Sequence, residues 1–199
     1  MLPQGLYWLF FTLLPSLVLG LPWDAINGRS AMGSMVTGAA PLEGIGPLRQ
    51  NQVPHNRHLG IRGGHAPFTP LDALGNLTIL VHQLTPPHFI INRRQLYYYM
   101  NSTTVFPVNV VNTTLPDRPP LQLIVGKKRE GLKGGSWRFA GSMLYYDYPG
   151  NAGSQGIFWS CQMPGQTGPW PGVFLFAPKE ENYVNDCNSL TFHNFGNTD

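Results

Sequence analysis

The residue types that carry chemistry are sparse in this chain. Past position 70 the acids are Asp72, Asp117, Glu130, Asp147, Glu180, Glu181, Asp186 and Asp199. A glycosidase needs two carboxylates facing each other across a bond, and no spacing here singles out such a pair. The six histidines fall at 55, 58, 65, 82, 88 and 193. None stands at the spacing of a zinc-binding helix, and His55, His58 and His65, the nearest group, read as polar loop residues. Gly153-Ser154-Gln155-Gly156 approaches a nucleophile elbow, but Ala152 occupies the place of the first glycine. Gly131-Leu132-Lys133-Gly134-Gly135 lacks the Gly-Lys-Ser/Thr ending of a phosphate cradle and reads as a loop. The expectation is a protein that is not an enzyme, with no cofactor, no metal and no catalytic residue.

Two other chemistries are better marked. Asn76-Leu77-Thr78, Asn101-Ser102-Thr103 and Asn112-Thr113-Thr114 fit the N-glycosylation acceptor pattern. Cys161 and Cys187 are the only cysteines. In an oxidising compartment an even count argues for a bridge, and two cysteines allow one intramolecular connectivity. The closed loop would contribute roughly 3 kcal/mol, mainly by restricting the unfolded chain. Both features presuppose secretion. Leu6 to Leu19 is an apolar run broken by Thr12, Pro15 and Ser16, and Val18-Leu19-Gly20 resembles a signal-peptidase site. Residues 1–20 are therefore expected to be a signal peptide. The rival reading, an uncleaved anchor, is weakened because the run is shorter than the ~20 residues of a spanning helix. The mature chain is expected to be extracellular, with no membrane segment.

Aromatic residues form a third set. Tyr97-Tyr98-Tyr99 and Tyr145-Tyr146-Asp147-Tyr148 alternate along strand-like stretches, so some rings face outward. Trp137, Trp159 and Trp170 join them. Core filling and cross-strand pairing compete with a second reading, stacking on sugar faces. For that second reading the candidates are Tyr97, Tyr99, Tyr146 and Trp170. Lys127, Lys128, Arg129, Lys133 and Arg138 form the one basic cluster. They read as a solvated loop, with contact to an anionic polymer as the alternative. Net charge is only +3, from 13 basic and 10 acidic residues, so no nucleic-acid footprint is expected.

These side chains need elements to hold them. The chain has 199 residues, enough for one substantial core. Charged residues make up 12%, about half the usual share. With 23 Gly and 19 Pro, turns and short strands are favoured over long helices. Residues 21–70 are rich in Gly, Pro, Ala, Asn and Arg without lasting periodicity. They read as a flexible extension: a spacer, a pro-segment, or a region that orders on a partner. From Leu71 to 199 short apolar stretches recur between turn residues. Strands are expected at 77–83, 88–92, 95–100, 105–111, 121–125, 136–139, 143–148, 156–161, 172–176 and 189–192, with Pro107 marking an edge or a bulge. The pattern predicts an all-β antiparallel sandwich or barrel. The bridge would tie the 156–161 strand to the C-terminal segment.

The order of these stretches resembles a known family. Leu96-Tyr97-Tyr98-Tyr99 closes a hairpin. Ser136-Trp137-Arg138-Phe139, Ser142-Met143-Leu144-Tyr145-Tyr146, Phe158-Trp159-Ser160-Cys161, Val173-Phe174-Leu175-Phe176 and Asp186-Cys187 follow. This layout is similar to that of fungal secreted cell-wall proteins of the phialide-development type, over roughly residues 89–192. The resemblance implies a secreted, wall-associated all-β protein with a structural or adhesive role, and no catalytic residues to carry over. Cell-wall polysaccharide or a wall protein would be its partner. A secreted effector or lectin-like module binding glycan through Tyr and Trp is the other reading.

Overall fold

The computed structural model describes residues 38–46, 57–63, 73–113, 115, 117–165, 168–177 and 186–195. Among the described residues there are fourteen strands: β1 (Ala40–Pro41), β2 (Glu43–Ile45), β3 (Arg57–Arg62), β4 (Ala73–Val81), β5 (His88–Asn92), β6 (Gln95–Asn101), β7 (Thr104–Asn112), β8 (Leu121–Gly126), β9 (Ser136–Ala140), β10 (Met143–Asp147), β11 (Ser154–Gln155), β12 (Phe158–Met163), β13 (Trp170–Leu175) and β14 (Cys187–His193). All pairings are antiparallel, and the only helical element among the described residues is one 3-10 turn at Pro149–Asn151. The all-β antiparallel expectation is met.

Six strands close on themselves in the order β4, β3, β2, β14, β12, β13 and back to β4. The closing contact pairs Gly172 with Thr78, whose hydroxyl donates to the Pro171 carbonyl at 2.6 Å. The sheet forks at this point. β8 pairs with the start of β4 and, further along, with Phe174 and Leu175 of β13. From β8 a wing continues through β7, β6, β5 and β1. A hairpin of β9 and β10 joins the other side, where Met143 pairs with His193 of β14. The wing and this hairpin meet where the Trp137 amide donates to the Arg94 carbonyl at 2.8 Å.

The alternation of side chains explains what lies between these strands. On β8, Leu121, Leu123 and Val125 enter the main core while Gln122 and Ile124 are buried on the opposite face. On β12 and β13, Phe158, Val173 and Leu175 face the main core, and Cys161, Met163, Trp170 and Phe174 build a smaller one behind it. Such strands are buried on both sides, which is why they read as continuous apolar runs. Phe158 lies at the centre, parallel to Trp137 at 6.3 Å and tilted against Phe192 at 5.0 Å. Burying a side chain of this size contributes roughly 2–3 kcal/mol.

One expectation needs correction, and another is refined. The extension drawn at 21–70 is not separate from the domain, because β1, β2 and β3 fall within it. Leu42 and Leu59 are fully buried, and β3 pairs along its whole length with β4. The β-domain therefore begins before Leu71. Residues 21–37, 47–56 and 64–70 lie outside the described residues, as does the expected signal peptide at 1–20. Pro107 marks no bulge; it lies at a local edge, paired with Tyr97 of β6 and with no register partner on β8. β7 runs between β6 and β8, and the register shift in its pairing with β6 falls between Tyr99 and Asn101. Residues 104–107 pair with β6 and residues 108–112 with β8. Pro107 sits at the changeover, where its missing donor is tolerated.

Candidate functional site

Cys161 and Cys187 are directly opposed on β12 and β14, with Cα atoms 4.1 Å apart, and their sulfurs are bonded at 2.05 Å. The bridge ties the two strands named from the sequence. It lies in the smaller core against Met163, Trp170 and Phe174.

The three acceptor asparagines have different surroundings. Asn101 is exposed at the tip of the β6–β7 hairpin, where its Oδ1 accepts from the Thr103 amide at 3.0 Å and the Thr103 hydroxyl at 2.8 Å. Asn112 is exposed at the end of β7. Asn76 is buried in the middle of the sheet, paired with Arg62 on one side and Ile124 on the other. Its Oδ1 accepts from Gln122 Nε2 at 2.9 Å. A glycan on Asn76 Nδ2 has no exit through the strands, so the folded chain is incompatible with modification there. Sequence pattern alone carries no signal of burial, hence the miss.

Of the four candidate rings, the fold brings two together. Tyr97 and Tyr99 are two apart on β6 and point to the outward face, both half-buried, while Leu96 and Tyr98 face the core. Trp170 is 1% exposed. Its indole N–H donates to the Pro164 carbonyl at 3.2 Å, and the Arg62 guanidinium covers its ring at 5.5 Å. Tyr146 is 2% exposed and tilted against Trp137 at 4.8 Å. Neither ring has a face to offer a sugar, and both readings as stacking residues are corrected. Their alternation placed them on the inner face; the tyrosine run around 145–148 gave no means of choosing which parity was inside.

Tyr97 and Tyr99 line a groove of about 380 Å3 whose floor includes Val105 and Pro107, their register partners on β7. Arg93 stands at one rim, and Lys127, Lys128 and Arg129 stand at the other. The sequence marked the basic run and the tyrosines separately. What it could not show is that the loop after β8 returns over β6. Four hydrogen bonds fix that return. The Asn109 side chain donates to the Lys128 carbonyl at 2.9 Å and accepts from the Glu130 amide at 3.2 Å. The Leu132 amide donates to the Val110 carbonyl at 2.8 Å. Arg129 Nε donates to Gln95 Oε1 at 3.0 Å, and Gln95 is itself buried and donates to the Leu96 and Val108 carbonyls. Gly131 has φ +80°, and a Cβ there would lie 2.2 Å from the Val110 carbonyl oxygen, so the loop can approach β7 only with glycine.

Beneath the same loop is a second cavity of about 370 Å3, lined by Gln95, Glu130, Lys133, Trp137 and Tyr146 among others. Glu130 Oε1 is buried there without a hydrogen bond to any described residue. Gly135 makes room for the Tyr146 hydroxyl, and burial lifts that phenol to a pKa of about 12.

Among the described acids and histidines, Asp147 and His193 have side-chain partners that hold them in place. Asp147 is held by Arg138 Nε at 3.0 Å, and Arg138 also lies over the Tyr145 ring at 4.7 Å. His58 is buried in β3, while His55 and His65 fall outside the described residues. A hydroxyl–imidazole pair, not foreseen from sequence, joins Ser142 Oγ to His193 Nδ1 at 3.1 Å. The other ring nitrogen meets Thr191 Oγ1 at 2.9 Å, and the ring stacks on Phe195 at 5.4 Å. Burial lowers the His193 pKa, and the negative charge of Glu43 partly opposes this. With both nitrogens taken by hydroxyls, the pair fastens the β9–β10 turn to β14. Comparison with protein-family models, curated proteins and solved structures finds no match for this chain.

Proposed function

We propose that the protein is a secreted, N-glycosylated component of the fungal cell wall, structural or adhesive rather than catalytic. The observation that carries this reading is the outward face of β6, where Tyr97 and Tyr99 stand side by side above an aliphatic floor. Flat apolar rings flanked by polar groups suit the faces and hydroxyls of sugar rings. A bridge buried in a strand ladder suits an oxidising compartment. Asn101 and Asn112, exposed at strand ends, have room for glycans. The engagement of Asp147 by Arg138 favours a structural over an acid–base role for that carboxylate. A lectin-like effector acting in solution would use the same groove and differs in where the protein resides.

The test is expression in a secreting eukaryotic host, followed by intact mass and by binding to isolated walls. The expected product has lost the apolar leader, carries glycan on Asn101 or Asn112 and none on Asn76, and sediments with walls. Y97A/Y99A is expected to stay in solution. A cell-retained, unglycosylated chain with two thiols would sink the reading. Secretion without wall retention would favour the soluble lectin-like alternative.

A further inference from the structure

The groove carries a charge pattern that says more about its ligand than the rings do. Four of the chain's 13 Lys and Arg line it: Arg93, Lys127, Lys128 and Arg129. Among the described residues, no acidic residue lines it. A protein with a net charge of only +3 thus places four cations around one pair of tyrosines.

The backbone adds a second, independent sign. β5 and β6 are joined by a two-residue turn, with Asn92 paired to Gln95, and its central residues Arg93 and Arg94 have φ +47° and +63°. Turns of this hand favour Asn-Gly, because a side chain at positive φ is strained. Here two consecutive arginines occupy it. Arg93 is held at the rim because the Arg94 carbonyl is fixed by the Trp137 amide.

We infer that the groove between Tyr97, Tyr99 and the Lys127–Arg129 segment binds an acidic polysaccharide, sugar faces on the tyrosines and carboxylates or sulfates on the flanking cations. The inference rests on the glycan-binding reading of the same face and narrows it to a charged polymer. Guanidinium groups bind carboxylates and sulfates in a two-point manner, which lysine supplements as a point charge. Affinity must therefore fall with salt.

The experiment measures binding of the full secreted chain, by calorimetry at low and high salt, to polygalacturonate, dextran sulfate, a neutral β-glucan and single-stranded poly(dT). Polygalacturonate or dextran sulfate is expected to bind at least about tenfold more tightly than the neutral glucan, a gap that corresponds to about 1.4 kcal/mol. The two acidic polymers separate carboxylate from sulfate preference. K127E and R93A, both at exposed positions, are expected to weaken acidic-polymer binding by about tenfold each while leaving the melting profile intact. Equal binding of the neutral glucan, or indifference to both charge variants, overturns the acidic preference and leaves the glycan face standing. Tighter binding of poly(dT) overturns the assignment in favour of a nucleic-acid site. Wall retention that survives without binding to either acidic polymer defeats this inference alone; loss of wall retention as well defeats the broader reading.

Discussion

The phenol of Tyr146 lies under the Lys127–Gly135 loop, and burial raises its pKa from 10.0 to about 12. Tyr148, beside it on the same hairpin, is raised further by burial and by the neighbouring Tyr146. Its hydroxyl donates toward Gln155 Oε1 and the Phe176 carbonyl. The sign follows from proton counting. Above pH 10 the unfolded chain releases these protons and the folded chain keeps them, so folding loses stability as pH rises through the folded values. The protein is expected to hold full stability below pH 10 and to weaken between pH 10 and about 12. Denaturant melts across that window check this, with tyrosinate absorbance appearing together with unfolding. Y146F should flatten the dependence. A melt midpoint constant to pH 12 would contradict it. At this scale the sequence was informative about types and poor about directions. Cys161 and Cys187 could be paired by counting. Tyr97 and Tyr99 share a face by alternation, as do Tyr146 and Tyr148, but which face is outside depends on what packs above. For Tyr146 that is a loop anchored by Asn109 and Gln95, two buried polar residues with no pattern to announce them.

Among the elements, the β5–β6 hairpin has the clearest conflict between local preference and conformation. Arg93 and Arg94 both lie in the left-handed region. Placing non-glycine side chains there opposes folding by about 1–2 kcal/mol per residue. R94G is therefore expected to raise stability by about 1 kcal/mol, and R93N/R94G by somewhat more, read as a shift in denaturation midpoint at unchanged slope. R94G should keep acidic-polymer affinity because Arg93 remains; R93N/R94G should lose it in part. A midpoint that falls in both variants would mean that the arginines hold contacts outweighing the strain. Most strand positions were legible because alternation and turn residues speak locally. The residues 88–92, 95–100 and 121–125 were placed within a residue of β5, β6 and β8. β1, β2 and β3 were not legible. β2 has three residues, and β3 reads Arg-His-Leu-Gly-Ile-Arg, in which Gly60 looks like a breaker. It is glycine because Leu80 crosses it; a Cβ there would lie 2.2 Å from that side chain. A close approach between strands leaves the same residue in the sequence as a loop does.

For the molecule as a whole, the earlier strands are structural members. β2 and β3 are two of the six strands that close the ring, and Leu42 and Leu59 are completely buried in the common core. Exposing those two side chains' cavities would cost roughly 2 kcal/mol each before the lost strand pairing is counted. A chain beginning at Leu71 is therefore expected to lack a cooperative melt and to bind hydrophobic dye, whereas one beginning at Gly38 should melt as the full protein does. Cooperative folding from Leu71 would restore the boundary that composition suggested. Closure also decides how copies of this protein behave beside one another. Among the described residues, the strands left at the margins are β1 and β11, two residues each, the three residues of β5 that β1 does not cover, and β9, whose Trp137 amide is already taken by the β5–β6 turn. Long, flat strand edges are what let one chain template the next into a fibril. Copies of this chain held close together are thereby given little opportunity to polymerise through their described backbone edges.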